Sequence, residues 1–151
     1  MSILIIDPSF QELTKLKREL ESLGYEDVVG TESIPEALAY YSVNCLGKVP
    51  SEVELILMDL TSPDAIESGF RTKPRQSRST SRAVLLGLVN QNDSAGIKRA
   101  AEAGAHDVIC RPVLKAELMM RVRSALALAA KMETAANSEA SLEAELTKKA
   151  C

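Results

Sequence analysis

Val53-Glu54-Leu55-Ile56-Leu57-Met58-Asp59-Leu60 is the stretch on which the fold turns. Glu54 is the single charged residue ahead of Asp59, so the run reads as a strand covered on both faces, the pattern of an inner strand in a parallel sheet. The polar residue comes at its end. Open α/β sheets leave a crevice outside the carboxyl ends of their strands, which makes Asp59 the first candidate for chemistry. Thr61-Ser62-Pro63 is a turn signal, so Asp59 equally suits the plain role of capping that turn.

Around this strand the composition sets bounds. A chain of 151 residues with 46% hydrophobic content has room for one sizeable core and reads as one ordinary domain. Net charge of −3 and a pI near 5.3 give no general reason to expect nucleic acid or an anionic membrane as partner. Apolar runs such as Ser2–Ile6 and Val84–Val89 are far shorter than the roughly 20 residues of a membrane helix, and the N-terminus lacks the basic start and cleavage site of a signal peptide. A cytosolic location is expected. Cys45, Cys110 and Cys151 then read as reduced thiols, and the single histidine gives little support to a zinc or Ser-His-Asp site.

In chain order, Met1–Ile6 is an apolar strand that also ends in an acid, Asp7. Ser9-Phe10-Gln11-Glu12 has capping-box spacing, and Leu13, Leu16, Leu20 and Leu23 recur at helical intervals until Gly24. Asp27–Thr31 is a poorer strand suited to an edge. Ser33-Ile34-Pro35-Glu36 opens a second helix whose inner face is read as Ala37, Leu38, Tyr41 and Leu46, followed by a loop over Gly47–Pro50. After the central strand, Asp64–Phe70 has room for two helical turns. Arg71–Arg82 carries Arg71, Lys73, Arg75, Arg78 and Arg82 with no acid. A basic patch of this kind suits phosphate or nucleic acid, but the stretch lacks stacking aromatics and reads better as a solvated loop. Ala83–Leu88 is a fourth strand. Asp93 or Ser94 caps a helix that reaches Ala103 and stops at Gly104; Asp107–Cys110 is a fifth strand, and a long helix starts near Val113.

Strands alternating with helices over short connections call for a parallel sheet with helices on both faces, because the crossovers are right-handed. The flavodoxin-like strand order 2-1-3-4-5 puts Asp7 and Asp59 on adjacent strands at the switch point. With both acids placed, the chain from Met1 to about Ala130 resembles the receiver domain of two-component response regulators. The resemblance is carried by Ile3–Asp7, by Leu55–Leu60 with Pro63 four residues after Asp59, and by Ala101-Glu102-Ala103-Gly104-Ala105 followed by Asp107 and Arg111-Pro112.

The resemblance implies phosphotransfer from a histidine kinase to Asp59, with a divalent cation and fixed donors taking up the phosphoryl charge. A typical receiver has two consecutive acids after the first strand, a Ser or Thr after the fourth and a Lys before the Pro. Here Pro8 follows Asp7 and offers no side-chain oxygen, Val89 stands in the Ser/Thr position, Arg111 in the Lys position, and Val108 where many receivers carry an aromatic switch residue. A metal set of Asp7, Asp59 and the Thr61 carbonyl is short of a ligand, so Mg²⁺ should bind weakly at best. The planar fork of Arg111 differs from a compact ammonium and suits a standing pair with Asp59 or Asp7. These departures describe an atypical or pseudo-receiver that acts through protein contacts and is not an enzyme beyond slow self-phosphorylation at Asp59. The alternatives are a working response regulator phosphorylated on Asp59 and, ranked below it for want of a Gly-rich phosphate loop, an unrelated flavodoxin-like enzyme or nucleotide-binding domain.

From Leu118 the chain is rich in Ala, Leu, Glu and Lys without Pro or Gly, so one helix is expected to run past the receiver-like body (1–130) as an extension (131–151). Leu128, Met132, Ala135, Leu142 and Leu146 fit short coiled-coil spacing, interrupted by Glu139. The stripe Leu118, Val122, Ala125, Ala129 and Met132 suits a homodimer through this last helix; the competing outcome is that Leu118 and Val122 fold back on the domain's own sheet and only the tail remains free. A histidine kinase or an effector is the expected heterologous partner; membrane and nucleic acid are not.

Overall fold

The computed structural model describes residues 2–45, 53–62 and 83–149, so Leu46, the Gly47–Pro50 loop, Pro63, the helical turns expected in 64–70 and the basic stretch Arg71–Arg82 lie outside the described residues. Strands β1 (Ser2–Ile6), β2 (Asp27–Thr31), β3 (Val53–Asp59), β4 (Val84–Asn90) and β5 (Asp107–Arg111) form one parallel sheet in the order β2-β1-β3-β4-β5. This is the flavodoxin-like arrangement. The described helices are α1 (Phe10–Ser22), α2 (Ile34–Cys45), α3 (Ser94–Glu102) and α4 (Lys115–Lys149). β3 and β4 are buried almost throughout, as continuous apolar runs require, and β2 forms an edge.

Local chemistry sets the helix ends. The Oγ of Ser9 accepts the Glu12 N–H at 3.4 Å, but the reciprocal half of the box is replaced: the Ser9 N–H donates to Asp7 Oδ1 at 2.9 Å. The Glu12 carboxylate is thereby free to reach elsewhere. Ser33 Oγ accepts the Glu36 N–H at 3.2 Å, while the Glu36 carboxylate turns back to the N–H of Glu32 at 2.9 Å. Asp93 caps α3 through the Gly96 N–H at 2.9 Å, and Gly24 and Gly104 end α1 and α3 with φ of 99° and 82°.

The sheet carries a core on each face. Leu13, Leu16 and Leu20 of α1 pack with Leu118, Val122, Leu126 and Ala129 of α4 on one face; Ile34, Ala37 and Tyr41 of α2 pack with Ala100 and Ala103 of α3 on the other. One expectation needs correction, and one pair of alternatives is decided. Leu38 is 45% exposed, because one residue beyond buried Ala37 the helix has turned by about 100° away from the sheet. More consequentially, Leu118 and Val122 are fully buried and Ala125 and Ala129 nearly so, all in the chain's own core. The dimer stripe read from the sequence is used internally: α1 covers only part of its face of the sheet, and α4 covers the rest. Met132, half-buried, marks the end of that packing. The helix itself continues to Lys149, about 52 Å in all at 1.5 Å per residue. Among the described residues no helix is long and apolar enough to cross a membrane.

Candidate functional site

The parallel register brings the strand-end acids together. Ile6 lies opposite Met58, so Asp7 and Asp59 leave the sheet side by side, both buried, at 1% and 8% exposure. Asp59 makes the turn cap that its sequence context allowed: Oδ1 accepts the Thr61 N–H at 3.1 Å and Oδ2 accepts the Thr61 hydroxyl at 3.0 Å. The capping role does not exclude the other one, since Asp59 also faces a charge.

That charge is Arg111, at the end of β5. Its guanidinium reaches over the ends of β4 and β3, placing Nη2 2.6 Å from Asp7 Oδ2 and 3.6 Å from Asp59 Oδ1, while Nη1 lies 3.2 Å from Glu12 Oε2. The contact with Asp7 is a short charge-assisted hydrogen bond; the contact with Asp59 is an ion pair without one. Burial by itself would lower the Arg111 pKa, but the hydrogen bond to Asp7 and the charges of Asp7, Asp59 and Glu12 outweigh it and hold the value above the usual one. Arg111 is therefore a permanent cation.

Two members of this constellation had escaped the sequence reading. Glu12, taken there only as the closing residue of a capping box, is the outer arm of the Arg111 cluster. Arg99 of α3 donates from Nε to the Leu60 carbonyl at 2.9 Å and from Nη2 to the Thr61 carbonyl at 3.1 Å, and Nη2 pairs with Asp93 Oδ2 at 3.4 Å. Its signal was position: Arg99 sits beside the inward residues Gly96, Ala100 and Ala103 at helical spacing, where a charged residue needs a partner.

The remaining sequence candidates fall nearby without joining the polar cluster. Val89 is fully buried in β4 opposite Cys110 of β5 and brings no hydroxyl to the crevice. Val108 is half-buried against the core shared by α2 and α3. The donors fit a divalent cation poorly. Pro8 supplies no side-chain oxygen, Arg111 Nη2 stands at the point that both acids reach, and the Thr61 carbonyl already accepts from Arg99. Among the described residues no group of three or more His, Cys, Asp or Glu is arranged to hold a metal ion.

No family model matches the chain. It is 25% identical over 114 residues to a protein of Rhizobium etli described as a probable chemotaxis protein CheY, a match spanning 74% of this chain and 81% of that protein. Among solved structures it is similar to a protein of Chloroflexus aurantiacus provisionally described as a response regulator, with 27% identity, a TM-score of 0.66 and coverage of 83% of this chain and 97% of the other. A CheY-like receiver domain protein of Methanospirillum hungatei matches in fold, with 23% identity, a TM-score of 0.63 and coverage of 86% and 96%. Strand order, paired strand-end acids and these likenesses together support a response-regulator receiver domain of the CheY-like kind.

Proposed function

We propose that this chain is a receiver-type signalling module that acts through protein contacts, with aspartyl phosphorylation at Asp59 impaired or absent. The observation that carries this reading is the Arg111 guanidinium, 2.6 Å from Asp7 and 3.6 Å from Asp59. An incoming phosphoryl group needs its charge matched by cations and donors that are free to turn toward it. Here the cation is already bound by three carboxylates, and Val89 offers no hydroxyl. Asp7, Asp59 and Thr61 are the proposed remnant of a metal site, and Arg111 its replacement. A histidine kinase or an effector is the proposed partner class, with the body to about Ala130 as the docking unit and the residues beyond it as an extension available for contact.

One observation favours the second reading, a working response regulator: Asp59 survives at the end of β3, and its neighbour Thr61 can donate from both backbone and side chain. Exposure to an acyl phosphate donor with Mg²⁺, followed by intact-mass analysis, separates the two. The expected result is no base-labile adduct of one phosphoryl group on Asp59; rapid stoichiometric addition would establish the second reading.

A further inference from the structure

The turn after β3 is held from two directions by arginines of different elements. Arg111, from β5, takes the carboxylates of Asp7 and Asp59; Arg99, from α3, takes the carbonyls of Leu60 and Thr61. We propose that these two arginines divide between them the work of a divalent cation, Arg111 joining the strand-end acids and Arg99 fixing the Thr61 carbonyl, so that the turn is latched without metal. The inference rests on the receiver-type reading of the site and concerns what holds the turn, separately from whether Asp59 is phosphorylated.

A cation in such a crevice has two tasks: to neutralise two adjacent carboxylates and to draw a carbonyl at the strand exit toward them. A single Nη2 does the first, standing within 2.6 and 3.6 Å of the two acids, and the backbone of β5 keeps it there. Any free ion must displace a tethered one. Arg99 does the second, its Nη2 on the Thr61 carbonyl being aimed by the Nε bond to the carbonyl before it, an aim that the rigid guanidinium fork supplies and an ammonium does not.

Arg99 is itself positioned. Its side chain is 16% exposed and pairs with Asp93, the residue that caps α3. Asp93 can serve both partners because residue 96 is glycine: a Cβ there would lie 2.6 Å from Asp93 Oδ2. Among the described residues Arg99 makes its hydrogen bonds and ion pair to Leu60, Thr61 and Asp93 and reaches Asp59 only through the backbone of Thr61, whose N–H and hydroxyl hold the two oxygens of Asp59. An unbroken run of polar contacts thus leads from α3 to β1 through Asp93, Arg99, Thr61, Asp59, Arg111 and Asp7. Arg99 is accordingly a positioning residue.

Mn²⁺ is the probe, its binding to the full chain followed by loss of the free-ion paramagnetic resonance signal. The wild-type chain is expected to show no saturable binding up to millimolar Mn²⁺. R111A removes the tethered cation and should bind; R99A/R111A, with the Thr61 carbonyl also released, should bind tighter still, by about tenfold, the scale on which groups around a metal site tune affinity. R111Q, which removes the charge but keeps a polar side chain of intermediate length, takes the place of R111A if that variant unfolds. R99K should fall between wild type and R99A when each is paired with R111A, because it keeps a donor but loses the fork. Saturable sub-millimolar binding by the wild type would overturn the inference, as would R111A and R111Q both failing to bind, or a double variant no tighter than R111A. A wild type that binds Mn²⁺ yet resists phosphorylation would defeat the latch alone; one that excludes Mn²⁺ yet is phosphorylated would defeat the proposed function alone.

Discussion

Neutralising one strand-end acid at a time separates the roles of Asp7 and Asp59. Asp7 is 1% exposed and makes the 2.6 Å hydrogen bond to Arg111. Asp7→Asn replaces the ion-paired hydrogen bond, worth about 1.5–3 kcal/mol, by one from the same cation to a neutral amide, and leaves the half-buried guanidinium undercompensated. A loss of about 2 kcal/mol is expected, with Asp7→Ala reaching about 3–5 kcal/mol because the charge then has no partner at that point. Asp59 lies 3.6 Å from the same nitrogen without a hydrogen bond, and its main partner is Thr61, which an asparagine still satisfies. Asp59→Asn should therefore lose about 1 kcal/mol or less, below the effect that a direct Asp59–Arg111 hydrogen bond would have implied. Urea denaturation gives both values, and for a domain of this size each kcal/mol moves the Tm by about 2–4 °C. A rise in Tm for either variant would mean that the acids repel each other across an uncompensated crevice and that Arg111 is not their standing partner, while a larger loss for Asp59→Asn than for Asp7→Asn would make Asp59 the main partner of Arg111 and refute the assignment of that role to Asp7.

Leu118→Ala should destabilise by about 2–5 kcal/mol, since Leu118 is fully buried on the inner face of α4, whereas Leu142→Ala, at 60% exposure, should stay within about 0.5 kcal/mol in urea denaturation at any protein concentration. A version ending at Ala130 keeps Leu118, Val122, Leu126 and Ala129 in the core, so light scattering should report a folded monomer for it and for the full chain; a full-length dimer that truncation abolishes would instead assign self-association to the extension. Because the Arg111 pKa is raised, its contribution is complete below the unfolded value and fades only as pH rises through the still higher folded one. The stability gap between wild type and Arg111→Gln should therefore stay constant from about pH 6 to pH 10 in urea titrations, and a gap that shrinks across that range would remove Arg111 from the account of stability.

The sheet was legible because its signals are local and redundant. Continuous apolar runs in β3 and β4, each ending near a polar residue, allow little besides buried parallel strands, and glycines at 24 and 104 mark helix ends by their positive φ. The substitutions at Pro8, Val89 and Arg111 could likewise be read from position alone. What the sequence left open was the destination of side chains. A stripe such as Leu118, Val122, Ala125 and Ala129 says that a helix face is buried but not against what, and only the coverage of the sheet by α1 decides that it is the chain's own core. Glu12 has a valid local role as a capping-box residue, which hid its pairing with a residue 99 positions away. Arg99 had a positional signal and no local motif, because its acceptors are backbone carbonyls on another element.

A crystal structure of the wild-type chain grown with excess Mg²⁺ tests the central claim most directly. The expected result is Arg111 still hydrogen-bonded to Asp7 and within ion-pair distance of Asp59, Arg99 still on the Leu60 and Thr61 carbonyls, and no ion between the acids. A Mg²⁺ ion bound by Asp7, Asp59 and the Thr61 carbonyl, with Arg111 swung out of the crevice, would contradict it.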